Sequence, residues 1–349
     1  MASERKYYLD YLRIGAILAV VLMHCSGHCD NAVSTNDFQW HLCSIPQTVT
    51  CWAVPVFIMI SGALMLNKDI SIKSLYTKNI LRLVVAYVFW AFLYVLVFAI
   101  IPYYDRLTID VIKNIIAGIA EGGYYHLWFM PLIIGLYIVL PVFQSAIRGA
   151  DDKTMNYWFL ICFIFGVIIP SLRFIPIFED MLGSSLDTFN VGFTGHYLLY
   201  FMLGYVLDRI EIQKRKRTVL YLMGLSSMAV TIVVVSIQSY YNGCLFDVIR
   251  SNKMPTVMII SAALFVAAKE YYTKKKRNIR CEKIVVTMSS LSFGVYLCHM
   301  FCVSIFEKPV LAVFSPFMAT FVLFFLVSSI SFLLIALVRK CALLSKYIT

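Results

Sequence analysis

Arg13 and His24 stand at the two ends of the stretch R-I-G-A-I-L-A-V-V-L-M-H, with mostly apolar residues between them. On an α-helix, eleven steps make about three turns and roughly 16 Å of rise, so guanidinium and imidazole share one face. Asp10, three residues before Arg13, joins that face and is placed to orient the guanidinium. At the far end sits a side chain whose ordinary pKa of about 6.5 suits it to take a proton from a hydroxyl. Such a stripe fits a passage that a long anionic molecule enters from one side, its reactive end reaching a general base. Each residue also has a plainer use: Arg13 can snorkel from the edge of an apolar span, and His24 can bond a neighbouring helix as a neutral imidazole.

Three further stretches carry polar groups that need a purpose. F-I-M-I-S-G-A-L-M-L places Ser61 and Gly62 together, small enough for close helix packing or for the entry of a thin ligand. Arg82 follows at the next basic edge, suited equally to a phosphate contact and to fixing topology. E-G-G-Y-Y-H-L-W-F-M-P carries Glu121, Tyr125, His126 and Trp128. An interfacial belt accounts for the aromatic residues, whereas a carboxylate beside an imidazole can fix the His126 tautomer. In L-S-F-G-V-Y-L-C-H-M, Ser292, Tyr296 and His299 follow i, i+4, i+7 spacing, giving either a hydrogen-bond ladder or a second polar wall. His24 with His28, and Cys25 with Cys29, are one turn apart, a spacing that can chelate a transition metal; so short a cluster arises readily by chance, and no metal is expected.

The elements that position these groups follow from composition. Of 349 residues, 61% are hydrophobic and 14% charged, with a mean hydropathy of +0.81, which marks an integral membrane protein. Ten stretches are long and apolar enough to cross the bilayer: approximately 9–27, 45–66, 80–102, 127–147, 156–177, 191–207, 218–238, 255–272, 286–306 and 316–338. The expected fold is an all-α polytopic bundle forming one domain over 1–349, without internal repeats or a separate extracytoplasmic domain. With a cytoplasmic N-terminus, most of the 30 lysines and arginines fall on inner segments, and only Arg106, Lys113, Arg173, Arg250, Lys253 and Lys308 fall outside. That bias obeys the positive-inside rule everywhere except the mildly basic outer segment 239–254, and it puts both termini in the cytoplasm. The formal charge of +11 is therefore assigned to topology and anionic lipid, with no nucleic-acid partner.

The first apolar run is too long for a cleavable signal and is expected to stay in the protein. Isoleucines at 109, 112, 115, 116 and 119 suggest an amphipathic surface helix within the outer loop 103–126. The ten cysteines read as free thiols, although Cys29, Cys43, Cys51 and Cys244 lie near the outer face, where a disulfide is possible.

In these residues the chain resembles the acyltransferase-3 family of integral membrane acyltransferases, most of all its compact O-acetyltransferases of surface polysaccharides. The resemblance runs through Y-L-D-Y-L-R-I-G-A-I-L-A-V-V-L-M-H, V-P-V-F-I-M-I-S-G-A-L-M-L, Y-H-L-W-F-M-P-L, Y-F-M-L-G-Y and S-F-G-V-Y-L-C-H, in that order. Arg13 and His24 match the family's Arg-x10-His motif. The second basic motif, often Arg-x-x-Arg, reads N-I-L-R here, so only Arg82 carries over, with Lys78 adjacent to Asn79. The resemblance implies acyl-CoA, usually acetyl-CoA, as a cytoplasmic cosubstrate and a carbohydrate hydroxyl as acceptor, with no bound cofactor, in a multi-pass protein of the cell membrane. His24 is then the expected general base and Arg13 the donor anchor, helped by Ser61, Gly62 and Arg82. Glu121, His126, Trp128, Tyr296 and His299 are left to orient the base or the acceptor. The alternatives are a flippase for a lipid-linked sugar, with the stripe as its path, and a membrane sensor or scaffold.

Overall fold

The computed structural model describes residues 5–100, 113, 124–175, 177–181, 195–274 and 278–341, and all regular structure among them is helical. Nine of its helices are long and apolar enough to span a membrane: α1 (Tyr7–Asp30), α2 (Phe38–Met65), α3 (Ile72–Phe98), α4 (Tyr125–Gly149), α5 (Asp152–Leu172), α7 (Lys214–Asn242), α8 (Val248–Lys274), α9 (Ile279–Leu311) and α10 (Pro316–Val338). Between α5 and α7 lies α6 (His196–Arg209), the described part of the expected sixth span. The isoleucines at 109, 112, 115, 116 and 119 that suggest a surface helix within 103–126 lie outside the described residues.

Burial sorts the helices. The apolar windows of α1, α2 and α9 are 56%, 67% and 61% buried, against 17% for α5, 22% for α7 and 28% for α10. The three buried helices are the ones that carry Arg13, His24, Ser61, Tyr296 and His299. A helix facing lipid needs only apolar side chains, such as Leu225 of α7 or Phe325 of α10. One that carries polar groups must turn them inward, and this places α1, α2 and α9 at the centre.

Local sequence explains how the central helices meet. α2 is interrupted by a turn at Thr50–Trp52, after the Pro46 that weakens its first half. Beyond the break it crosses α6 through a reciprocal pair of glycines. A Cβ on Gly62 would lie 1.8 Å from the Phe201 carbonyl oxygen, and one on Gly204 would lie 2.0 Å from that of Met59. The backbones therefore touch, a small-residue crossing that lipid cannot enter. At the far end of α6, Lys269 of α8 donates to the carbonyls of Leu207, Asp208 and Ile210 at 2.8–2.9 Å, satisfying a helix terminus. The buried Asp208 accepts from Lys6 at 2.6 Å and from the Tyr8 hydroxyl, tying the start of α1 to the same corner.

Candidate active site

The polar residues gather at two levels. At the basic end, the Arg13 Nη1 of α1 lies 3.5 Å from the Ser289 Oγ of α9, and that hydroxyl donates to Asp10 Oδ1 at 2.7 Å. Asp10 does not clamp Arg13 as its spacing suggested. Arg5 takes the carboxylate in two bonds of 2.8 and 3.0 Å, and Arg13 is reached only through Ser289. The physical reason is competition: Arg5, just before α1, offers the planar two-pronged geometry that a carboxylate prefers. The Arg13 guanidinium is left on the wall of a cavity.

That cavity has a volume of about 400 Å³ and its wall includes Arg13, Lys78, Arg82 and Arg339. Lys78 and Asn79 come from a wide π-helical turn, Leu75–Ile80, inside α3. The Arg82 guanidinium sits 5.8 Å from the Phe293 ring centre, and Arg339 at the end of α10 donates to the Ser290 hydroxyl and carbonyl at 2.6 and 2.7 Å. Four cations around one cavity repel each other, and an anion inside it would relieve that repulsion. Deeper in, the wall passes Ser61 and Tyr137 and ends at Phe129 and Tyr296. Gly62 is absent from this wall: its face is filled by the Phe201 backbone, so of the expected pair only Ser61 reaches the cavity.

Beyond Tyr296 lies the second level, where three imidazoles converge from three helices. The His24 ring is 5.3 Å from that of His299 and 6.4 Å from that of His126, and the last two are 5.1 Å apart. His126 and His299 are completely or almost completely buried. The Tyr296 hydroxyl donates to the His126 carbonyl at 2.6 Å, joining the cavity's inner wall to the cluster. His299 directs Nδ1 at the Tyr296 carbonyl, 2.7 Å away, which makes Nδ1 its N–H and leaves a bare Nε2. His24 Nδ1 lies 3.4 Å from the Tyr125 hydroxyl, and that hydroxyl is 3.1 Å from His28 Nε2. His28 Nδ1 in turn meets Glu307 Oε2 at 2.9 Å. The His24, His28, Cys25 and Cys29 set does not converge as a chelate: both histidines turn to Tyr125, while the cysteines are buried in the packing around α1. All ten cysteines are free thiols.

A second cavity, also of about 400 Å³, opens at the histidine end. Trp128 and Phe174 give it aromatic walls, and Gln47, Asp247, Arg250 and Asn252 give it polar ones. Arg250 Nη1 donates to Gln47 Oε1 at 2.6 Å. Met23, the neighbour of His24, lines it, and Val54 lines both cavities.

Arg13, Ser61, Arg82 and Tyr296 thus share one cavity wall, His24, His126 and His299 form one cluster, and Trp128 faces the second cavity. Glu121 lies outside the described residues. Residues not singled out from the sequence as site members include Tyr137, Arg339, Gln47, Arg250 and Glu307. Two of these left a trace there: Arg339 among the inner basic residues, and Arg250 in the outer basic segment that departed from the positive-inside pattern.

Comparison with known proteins gives one match: a family profile described as an acyltransferase domain covers residues 6–338. No curated protein and no solved structure matches.

Proposed function

The chain belongs to this family of membrane acyltransferases, and from that premise we propose that it moves an acyl group from acyl-CoA, entering at the basic end, to a sugar hydroxyl at the histidine end. The observation that carries this reading is the first cavity, walled by four cations at one end and by Tyr296, beside His126 and His299, at the other. Acyl-CoA has the matching shape, with phosphates at one end, a thin pantetheine arm and a thioester at the other. Lys78, Arg82 and Arg339 suit the phosphates, and Arg13 suits the last charged or amide portion. The roughly 16 Å of helix between Arg13 and His24 matches the reach of an extended pantetheine arm. The basic end is then the cytoplasmic one, as the distribution of lysine and arginine requires.

His24 acts as general base. Its imidazole takes the proton of the acceptor hydroxyl as the oxygen bonds to the thioester carbonyl carbon. The C–S bond then breaks, and the imidazolium returns the proton to the departing thiolate, so the products are an ester and free CoA thiol. Buried imidazoles at His126 and His299 hold His24 in place and exclude water that would hydrolyse the donor. The second cavity suits the acceptor, because a sugar offers C–H faces to aromatic rings such as Trp128 and hydroxyls to Asp247, Asn252 and Arg250. Acetyl is the preferred acyl group in this reading, and a surface polysaccharide or its lipid-linked precursor the preferred acceptor.

The test is release of CoA thiol from acetyl-CoA by purified protein in nanodiscs, with and without added glycan acceptor. His24→Ala is expected to abolish release in a folded protein, and Arg13→Ala to raise KM for the donor more than it lowers kcat. Full activity in His24→Ala would refute the assignment of the base. A flippase would release no thiol under any condition.

A further inference from the structure

We propose that Glu307, His28 and Tyr125 form a directional hydrogen-bond array that fixes the tautomer of His24, so that its Nε2 lone pair is presented for reaction. The proposal rests on reading His24 as the base. Glu307 comes from α9, His28 and His24 from α1, and Tyr125 from the start of α4, so three helices must agree for the array to form.

The direction follows from what each group can do. A carboxylate only accepts, so the 2.9 Å contact to Glu307 Oε2 assigns the proton of a neutral His28 to Nδ1. His28 Nε2 is then an acceptor, and it meets the Tyr125 hydroxyl at 3.1 Å; the other acceptor that hydroxyl reaches, Met300 Sδ at 3.4 Å, is farther and weaker, so the hydrogen goes to His28. With its own hydrogen so committed, the Tyr125 oxygen is an acceptor toward His24 Nδ1 at 3.4 Å. His24 therefore carries its proton on Nδ1 and its lone pair on Nε2. With His28 neutral, the first contact decides all the others, because a neutral imidazole passes on the opposite polarity at its second nitrogen and a hydroxyl does the same at its oxygen.

Among the described residues, nothing else around His24 supplies this information. The nearest imidazole, His299, has its Nδ1 committed to backbone carbonyls, and its bare Nε2 has no hydrogen-bond partner. Neither ring nitrogen of His126 makes a hydrogen bond of good geometry. Glu307, His28 and Tyr125 are accordingly positioning residues: they act through His24 and need not touch the substrate. The logic is that of a carboxylate orienting a catalytic imidazole, extended by one histidine and one phenol.

The experiment is ¹⁵N NMR of histidine-labelled protein in nanodiscs at pH about 8, where an ordinary imidazole is neutral, together with steady-state kinetics. The chain has only 6 histidines, and the His24 resonances are assigned by their loss in His24→Gln. Wild type is expected to show a protonated Nδ1 and a bare Nε2 at His24. In Glu307→Gln the amide can donate to His28 and reverse the array, so the His24 proton should move to Nε2 and kcat should fall about a hundredfold or more, with KM for acyl-CoA unchanged. Tyr125→Phe should give mixed tautomers, and Glu307→Asp should restore most of the lost rate. An Nε2–H tautomer in the wild type would overturn the proposal, as would a Glu307→Gln variant with unchanged tautomer and rate. The wild-type spectrum needs no variant to fold, and it stands apart from thiol release, whose absence would sink the enzymatic reading instead.

Discussion

Replacing Gly62 by alanine should, like its partner change Gly204→Ala, cost more stability than a single-methyl change at any other described helical glycine. The added Cβ would start 1.8 Å from the Phe201 carbonyl oxygen, 2.7 Å from its carbon and 3.0 Å from its Cα. Unbonded carbon and oxygen need roughly 3.2 Å, so α2 and α6 must part locally by about 1.4 Å. The obstacle is backbone on both sides and cannot swing away. Separation also loosens Met59, Ile60 and Phe201, which are fully or almost fully buried along the crossing. The expected loss is about 3 kcal/mol, at the upper end of overpacking costs. Gly135 is the control: a Cβ there meets nothing within 4 Å, and alanine should stabilise its helix by roughly 0.5–1 kcal/mol. A melt with a thiol-reactive dye reads both, since thiols such as Cys25 and Cys162 are buried until the bundle opens. Gly62→Ala should lower the midpoint by about 5–10 °C in this assay. Gly204→Ala should do the same, and the double variant should cost less than the sum, because helices already parted admit the second methyl. A Gly62→Ala midpoint within a degree of wild type, or an equal drop in Gly135→Ala, would refute the reasoning.

Three other outcomes are expected. Lys269→Met strips three donors from the end of α6 and should destabilise by about 2–3 kcal/mol, seen as a lower midpoint in the same melt; an unchanged midpoint would mean that water replaces the ammonium. Asp10→Asn weakens the hold on Arg5 and Ser289, and should raise KM for acyl-CoA about fivefold with little change in kcat; initial-rate kinetics that show the reverse split would exclude a donor-side role. With every cysteine a free thiol, a non-thiol reductant should leave the midpoint where it is, and a downward shift would reveal a disulfide.

The bundle was legible in the sequence because the bilayer imposes a length on every apolar run, and the pattern of basic residues then orders the ends. The Arg13 to His24 stripe was legible for a similar reason, since helical spacing alone puts both on one face. Partnerships between distant segments were not. Asp10 reads as the natural partner of Arg13 until Arg5 is seen to fold back onto it. Gly62 reads first as a packing contact and second as a ligand gap, and the choice depends on Gly204, far along the chain. His28 looked like half of a chelate, but Glu307 and Tyr125 give it another task. Gln47 and Arg250 stand more than two hundred residues apart, in helices whose meeting no local pattern announces.

Val54 has one further consequence. Because it lines both cavities, the protein between them at this point is about one side chain thick, and in the proposed arrangement it separates the donor side from the acceptor side. A membrane voltage drops across insulating material and hardly at all across water, so in that arrangement, with both cavities wet, most of the field would fall across that thin septum. A full crossing is worth about 2.3 kcal/mol per elementary charge at 100 mV. In the proposed reaction the acyl group crosses uncharged, but the proton passes from an outer hydroxyl to an inner thiolate, down the field of a membrane that is negative inside. Sealed vesicles with an imposed potassium diffusion potential should therefore turn over faster when the cytoplasmic face is negative, with a rate indifferent to polarity counting against this picture. The septum would make the protein a capacitor as well as a catalyst, drawing on the cell's electrical gradient without a channel.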